Sequence, residues 1–172
     1  ITDTGNLFGA LEFSTTCMNS GIQPIIGAQL EVTPFQSSSG HDGFRSDRQQ
    51  IIIKEPDQIV LLAQNNIGYA NILKLVSNFH LEPDGNAEPR ISFDDLKQYN
   101  DGIIAFTGGS KGGVGRLLAE GQSAAAETLL EILKKIYGDR LYVEIQRHNL
   151  AVENQIEGPL IDLAYKYDLP LI

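Results

Sequence analysis

The stretch Ile1-Thr2-Asp3-Thr4-Gly5-Asn6-Leu7-Phe8-Gly9-Ala10-Leu11-Glu12-Phe13 reads as a strand that ends in polar residues and turns directly into a helix. Asn6 is the expected N-cap of that helix, which should run to about Ser20 with Leu7, Leu11 and Met18 on one stripe and Gly21 as its left-handed cap. Ile1-Thr2 is short for a buried strand and no Met precedes it, so the chain is expected to be a piece of something longer.

Working outward, the same grammar repeats. Gln23 to Thr33 reads as a strand in which Gln29 and Glu31 share one face and Leu30 and Val32 the other. Phe35 to Arg48, with His41, has no period and reads as a surface loop. Gln50 to Lys54 and Gln58 to Ala63 read as strands joined by the turn Glu55-Pro56-Asp57. In the following helix Tyr69, Ile72, Leu73, Val76 and His80 form the expected apolar face, with His80 at its end. After a turn from Pro83 to Pro89, Ser92-Phe93-Asp94-Asp95 has the form of a capping box with Asp in the place of Glu.

Gly102 to Thr107 is a β-rich run leading into the glycine-rich loop Gly108 to Gly115, again strand, loop, helix. From Gly121 to Tyr137, Ala125, Leu129, Ile132, Leu133 and Ile136 form one stripe, and Gly138 ends the helix. Leu141 to Gln146 alternates; the last helix carries Ile156, Leu160, Leu163, Ala164 and Tyr167, with Gly158-Pro159 an expected kink. Leu169 to Ile172 begins another strand. This alternation predicts parallel pairing with helices outside, either as an open doubly wound sheet or as a β/α barrel. Both architectures place reactive groups at the C-terminal ends of strands.

Composition narrows the function. A chain of 172 residues with 42% hydrophobic and 20% charged residues suits one domain with a sizeable core. Its net charge of -9 argues against direct DNA binding, which needs clustered Lys and Arg. Cys17 is the only cysteine and is read as a helix residue, which excludes an intrachain disulfide and argues against a cysteine nucleophile. No apolar run reaches the length of a membrane span, and a cytoplasmic location is expected.

The strand ends carry Asp3 and Thr4, Gln29 and Glu31, Gly108 to Lys111, and Gln146, Arg147 and His148, whose convergence would make one polar pocket. A catalytic divalent ion needs several His, Asp or Glu ligands at such tips. Asp3 and His148 are too few, and Thr4 and Gln29 are poor substitutes. The glycine-rich loop does not match a P-loop, since Lys111 is followed by Gly112 rather than Ser or Thr; it reads as a tight turn in which glycines permit close packing.

Several motifs together resemble one family: Thr2-Asp3-Thr4-Gly5-Asn6-Leu7-Phe8-Gly9, Gly21-Ile22-Gln23-Pro24-Ile25-Ile26-Gly27-Ala28-Gln29-Leu30, Gly68-Tyr69-Ala70-Asn71-Ile72-Leu73, Gly102-Ile103-Ile104-Ala105-Phe106-Thr107-Gly108-Gly109 and Tyr142-Val143-Glu144-Ile145-Gln146-Arg147-His148. They resemble the polymerase and histidinol phosphatase (PHP) domain of the bacterial replicative DNA polymerase III alpha subunit, in order over nearly the whole chain. The resemblance implies a distorted (β/α)7 barrel, here a single PHP domain over 1–172 that lacks its first strand and its C-terminal end.

In family members with an intact site, metal ions at the strand tips support phosphoesterase or proofreading nuclease chemistry. Asp3 and His148 match ligand positions, but Thr4 stands where such members carry His, Gln29 where they carry Glu, and Gly109 where they carry Cys. The resemblance therefore implies a vestigial site with no catalytic residue and no metal, in a module that stabilises the alpha subunit and docks other polymerase III subunits, the proofreading exonuclease first among them. The parent chain would perform DNA-templated DNA synthesis with Mg. The competing expectation is a residual metal-dependent phosphoesterase or proofreading nuclease.

Overall fold

The computed structural model describes residues 1–35, 55–81 and 89–172. Its elements are β1 (Thr2–Thr4), α1 (Ala10–Asn19), β2 (Gly27–Val32), β3 (Asp57–Ala63), α2 (Asn66–Leu81), α3 (Phe93–Gln98), β4 (Ile103–Phe106), α4 (Gly113–Ala119), α5 (Ser123–Tyr137), β5 (Leu141–Tyr142) and α6 (Ala151–Lys166). The strands form one five-stranded sheet in the order β1-β2-β3-β4-β5. The expected strand over Gln50 to Lys54, the loop after Phe35 with His41, and the turn from Pro83 lie outside the described residues.

The sheet is mixed, which corrects the expectation of parallel pairing throughout. β1–β2 and β4–β5 are parallel, whereas β3 runs antiparallel to both neighbours. The reason lies in the connection. Val32 pairs with Asp57, so β3 starts at the end of the sheet where β2 finished and must run back beside it. At the far edge the Val143 and Ile145 amides donate to Pro170 and Ile172, and Ile172 returns a bond to Val143, so the expected last strand does begin.

Alternation divides the sheet into two unlike faces. Ala28, Leu30 and Val32 of β2, Ile59 and Leu61 of β3, and Ile103 and Ala105 of β4 are buried in one core with Ile72, Leu75, Leu129, Leu133 and Leu160 from the helices. The intervening Gln29, Glu31, Gln58, Val60, Ile104 and Phe106 are only half-buried. The helices thus cover one face, and the other carries Gln29, Glu31 and Gln58.

Local sequence accounts for most helix boundaries. The Ser92 hydroxyl accepts the Asp95 amide (3.1 Å) while the Asp95 carboxylate accepts the Ser92 amide (2.8 Å), the reciprocal box expected from sequence. The same bonds, with others from the Ser92 hydroxyl and Asn78, hold the Asp95 carboxyl below its ordinary range against the opposing effect of burial. α5 ends at Gly138, whose φ of +61° suits glycine. α6 runs unbroken from Ala151 to Lys166 through Pro159, where a kink was expected.

Two helix expectations need correction. Asn6 does not cap α1: its side chain accepts the Phe8 amide and donates to the Thr4 carbonyl, tightening the turn before a helix that starts at Ala10. Leu11 and Met18 are exposed, so the expected core stripe of α1 faces outward. The buried stripe of α2 is Gly68, Ile72, Leu75 and Phe79; of the expected face Ile72 is buried and Val76 packs against the core, whereas Tyr69, Leu73 and His80 are exposed. Gly68 explains the rotation. A Cβ there would stand 1.8 Å from the Gly102 carbonyl oxygen, so the helix is pressed against the turn before β4 through its glycine.

Candidate functional site

At one level across the sheet the register aligns Thr4, Gln29, Val60, Phe106 and Tyr142. The strand ends that should carry chemistry lie just beyond it, and most of the candidate residues have a distinct local engagement.

Asp3 pairs in parallel register with buried Ala28, and Thr4 with half-buried Gln29, so the two neighbours point to opposite faces of the sheet. The Asp3 carboxylate accepts the Gly9 amide at 2.9 Å and so anchors the entry to α1. Gln29 donates to the Gln58 side-chain oxygen at 2.8 Å, an amide pair bridging β2 and β3. Gly109, at φ +55°, lies under Gln146: a Cβ there would meet the Gln146 side chain at 2.5 Å, so the space a larger residue would need is taken. Gln146 in turn donates to Glu144 at 2.7 Å.

His148 is held by Glu153 from the first turn of α6. The ring Nδ1 lies 2.8 Å from one carboxylate oxygen, and the His148 amide donates to the other at 2.6 Å. Glu153 is buried, and burial alone would raise its pKa; bonds from the His148 ring and the Leu150 and His148 amides outweigh that and hold it below the ordinary carboxylate range. Asp3, Gln29, Gly109 and His148 thus each have a neighbour of their own: the Gly9 amide, Gln58, Gln146 and Glu153. The sheet order sets β1 and β5 at opposite edges of the five strands.

Among the described residues, no group of three or more His, Cys, Asp or Glu side chains is placed to hold a metal ion. The donor chemistry agrees: Thr4 and Gln29 are neutral oxygen donors and weak ligands, and Asp3 is committed to a backbone amide. These described strand-end side chains do not fit a catalytic divalent ion.

The glycine-rich loop is a packing device, as expected. A Cβ at Gly112 would lie 1.7 Å from the Thr107 carbonyl oxygen, and one at Gly108 2.3 Å from that of Gln58. Beside it Glu31, Glu55, Gln58, Ser110, Lys111 and Arg116 line a polar cleft of about 380 Å³.

Sequence reasoning missed the pairing of Asp57 with Arg116. Asp57 is 3% exposed and receives Arg116 Nε at 2.5 Å and Nη2 at 3.0 Å. The bond to Asp57 raises the Arg116 pKa further above its already high value. The same carboxylate accepts the Phe35 amide, and Arg116 donates to the Phe35 carbonyl, so the pair grips the chain where β2 leaves the sheet. With the partners 59 positions apart in sequence, nothing local signals the contact. Gln58 and Glu153 were also missed; Glu153 carries the better signal, standing just inside the start of α6. His80 donates from Nε2 to the Gly5 carbonyl at 2.7 Å, tying the end of α2 to the turn after β1. Cys17 is half-buried on α1.

Among the described residues, no helix is long and apolar enough to cross a membrane. The family model described as PHP domain matches residues 1–148. Proteins named DNA polymerase III subunit alpha are similar along the chain: that of Caulobacter vibrioides (strain NA1000 / CB15N) is 36% identical over 172 residues, covering 100% of this chain and 14% of the relative. The protein of that name from Rickettsia bellii (strain RML369-C) is 35% identical, with 100% and 13% covered. The one from Vibrio cholerae serotype O1 is 33% identical, with 100% and 14% covered. The chain thus spans about one seventh of the length of these relatives. The match over 148 of 172 residues shows that the chain belongs to the PHP domain family.

Proposed function

We propose that this chain is a non-catalytic PHP domain of a DNA polymerase III alpha subunit, stabilising that subunit and docking another protein of the replication machinery. The parent chain performs DNA-templated DNA synthesis in the cytoplasm with Mg at an active site outside these residues. Its PHP domain is a distorted (β/α)7 barrel. The docked partner is the proofreading exonuclease subunit.

The observation that carries this reading is the state of the vestigial ligand positions. Thr4 and Gln29 offer only neutral oxygens, Gln146 fills the space over Gly109, and Asp3 and His148 are bound to Gly9 and Glu153. Similarity to alpha subunits along the whole chain supplies the polymerase context. The retained Asp3 and His148 favour the second reading, a residual metal-dependent phosphoesterase or nuclease, but two ligands do not hold a catalytic ion.

The docking role is tested by titrating the purified proofreading exonuclease subunit into the full-length polypeptide and into a version lacking the PHP domain. Binding that depends on the domain is expected. Equal binding by both versions would remove the docking role.

A further inference from the structure

The helix α5 has a wider apolar arc than the sheet can cover. Ala126, Leu129, Leu130, Leu133 and Tyr137 are buried against the core, whereas Ile132 and Ile136, one turn apart, remain half-buried on its flank. They face a groove of about 690 Å³ between α5 and α3. Its other apolar walls are Phe35 and Phe93, which meet edge to face at a centroid distance of 6.2 Å. Half-buried isoleucines and an aromatic pair around a cavity of this size form an anchor pocket for apolar side chains.

The charges around it narrow the occupant. Among the described residues, Lys97 of α3 and Lys135 of α5 are the charged ones lining this groove, in a chain whose net charge is -9. Lys97 shares an exposed ion pair with Asp94 at 2.8 Å, a contact of the kind that yields readily to a competing carboxylate. The bare alternative is that Lys135 merely complements the C-terminal dipole of α5. That reading leaves unexplained why Ile132 and Ile136 flank it where no described element covers them.

We propose that the groove between α3 and α5 is the docking site for a segment of a partner protein that presents apolar anchors flanked by Asp or Glu. The proposal rests on the docking role given above. The apolar side chains enter between Ile132, Ile136, Phe35 and Phe93, and the acidic flanks pair with Lys97 and Lys135. Charge opposition favours such a segment over the basic helices that the rest of this acidic surface would attract.

The test measures affinity of the purified proofreading exonuclease subunit for the full-length polypeptide carrying Lys97→Glu with Lys135→Glu. Both positions are exposed, so the fold is left intact. An affinity loss of about tenfold or more, absent at high salt where wild-type binding is itself weakened, is the expected result. Wild-type binding with no loss in the double variant overturns the groove and leaves the docking role standing. No binding by the wild-type chain removes both. A photo-crosslinking residue in place of Ile136 then reads the occupant directly: a crosslinked partner segment with Asp or Glu beside apolar residues supports the proposal, and one without an acidic residue, or no crosslink, overturns it.

Discussion

Replacing Arg116 with Ala would leave the Asp57 carboxylate buried with, among the described residues, only the Phe35 amide to satisfy it. Asp57 is 3% exposed, and the Arg116 side chain is 16% exposed in a two-bond contact at 2.5 and 3.0 Å. Breaking a buried pair from one side costs about 3–5 kcal/mol. Partial exposure of Arg116 places this case near the lower figure, about 3 kcal/mol, or roughly 6–12 °C of melting temperature for a domain of this size. The effect should reach Phe35, which both partners hold, and so loosen one wall of the α3–α5 groove.

Thermal unfolding of Arg116→Ala, Asp57→Leu and the pair Asp57→Leu with Arg116→Met separates the contributions. Removing both charges should restore stability to within about 1 kcal/mol of wild type, because desolvation of a buried pair offsets most of its attraction. A loss below about 1 kcal/mol for Arg116→Ala, or a double variant no better than the single ones, would refute the reasoning.

Three further outcomes follow from the same geometry. The Glu153 pKa is held below its unfolded value, so its contribution is present above about pH 4.3 and is lost as pH falls through the folded pKa; Glu153→Gln should flatten the acid limb of the stability profile, as read by denaturation between pH 3 and 7 on the order of these values. Gly109→Ala should destabilise by about 1–3 kcal/mol, since it combines a φ of +55° with a contact at 2.5 Å to Gln146, and adding Gln146→Ala should recover the steric part only. Ser92→Ala should cost about 1 kcal/mol in chemical denaturation through loss of the α3 cap, with no effect on the strand ends.

What could be read from sequence was local. The Ser92–Asp95 box, the amphipathic α5 ended by Gly138, and the close-packed glycines after β4 follow from residues within one or two turns of each other. The direction of β3 was not legible, because alternation identifies a strand but not the end of the sheet at which it begins. The α2 stripe was misplaced for a related reason: hydropathy weights Tyr69 and Leu73, whereas contact with Gly102 selects Gly68, a residue with no side chain to signal burial. At the strand ends the sequence names candidate residues but not which of them pair. Gln58, Gln146 and Glu153 engage them across the sheet or from the next helix, and pairing of that kind depends on the assembled fold.

Under the proposed function, the strand-end residues of this chain serve structural bonding rather than metal chemistry. Elemental analysis of the full-length polypeptide, purified without chelators and equilibrated with zinc or manganese, tests it most directly. The account predicts no stoichiometric metal attributable to the PHP domain and an unfolding transition of that domain indifferent to EDTA. One or more equivalents of metal lost on deletion of the domain, with a transition lowered by the chelator, would contradict it.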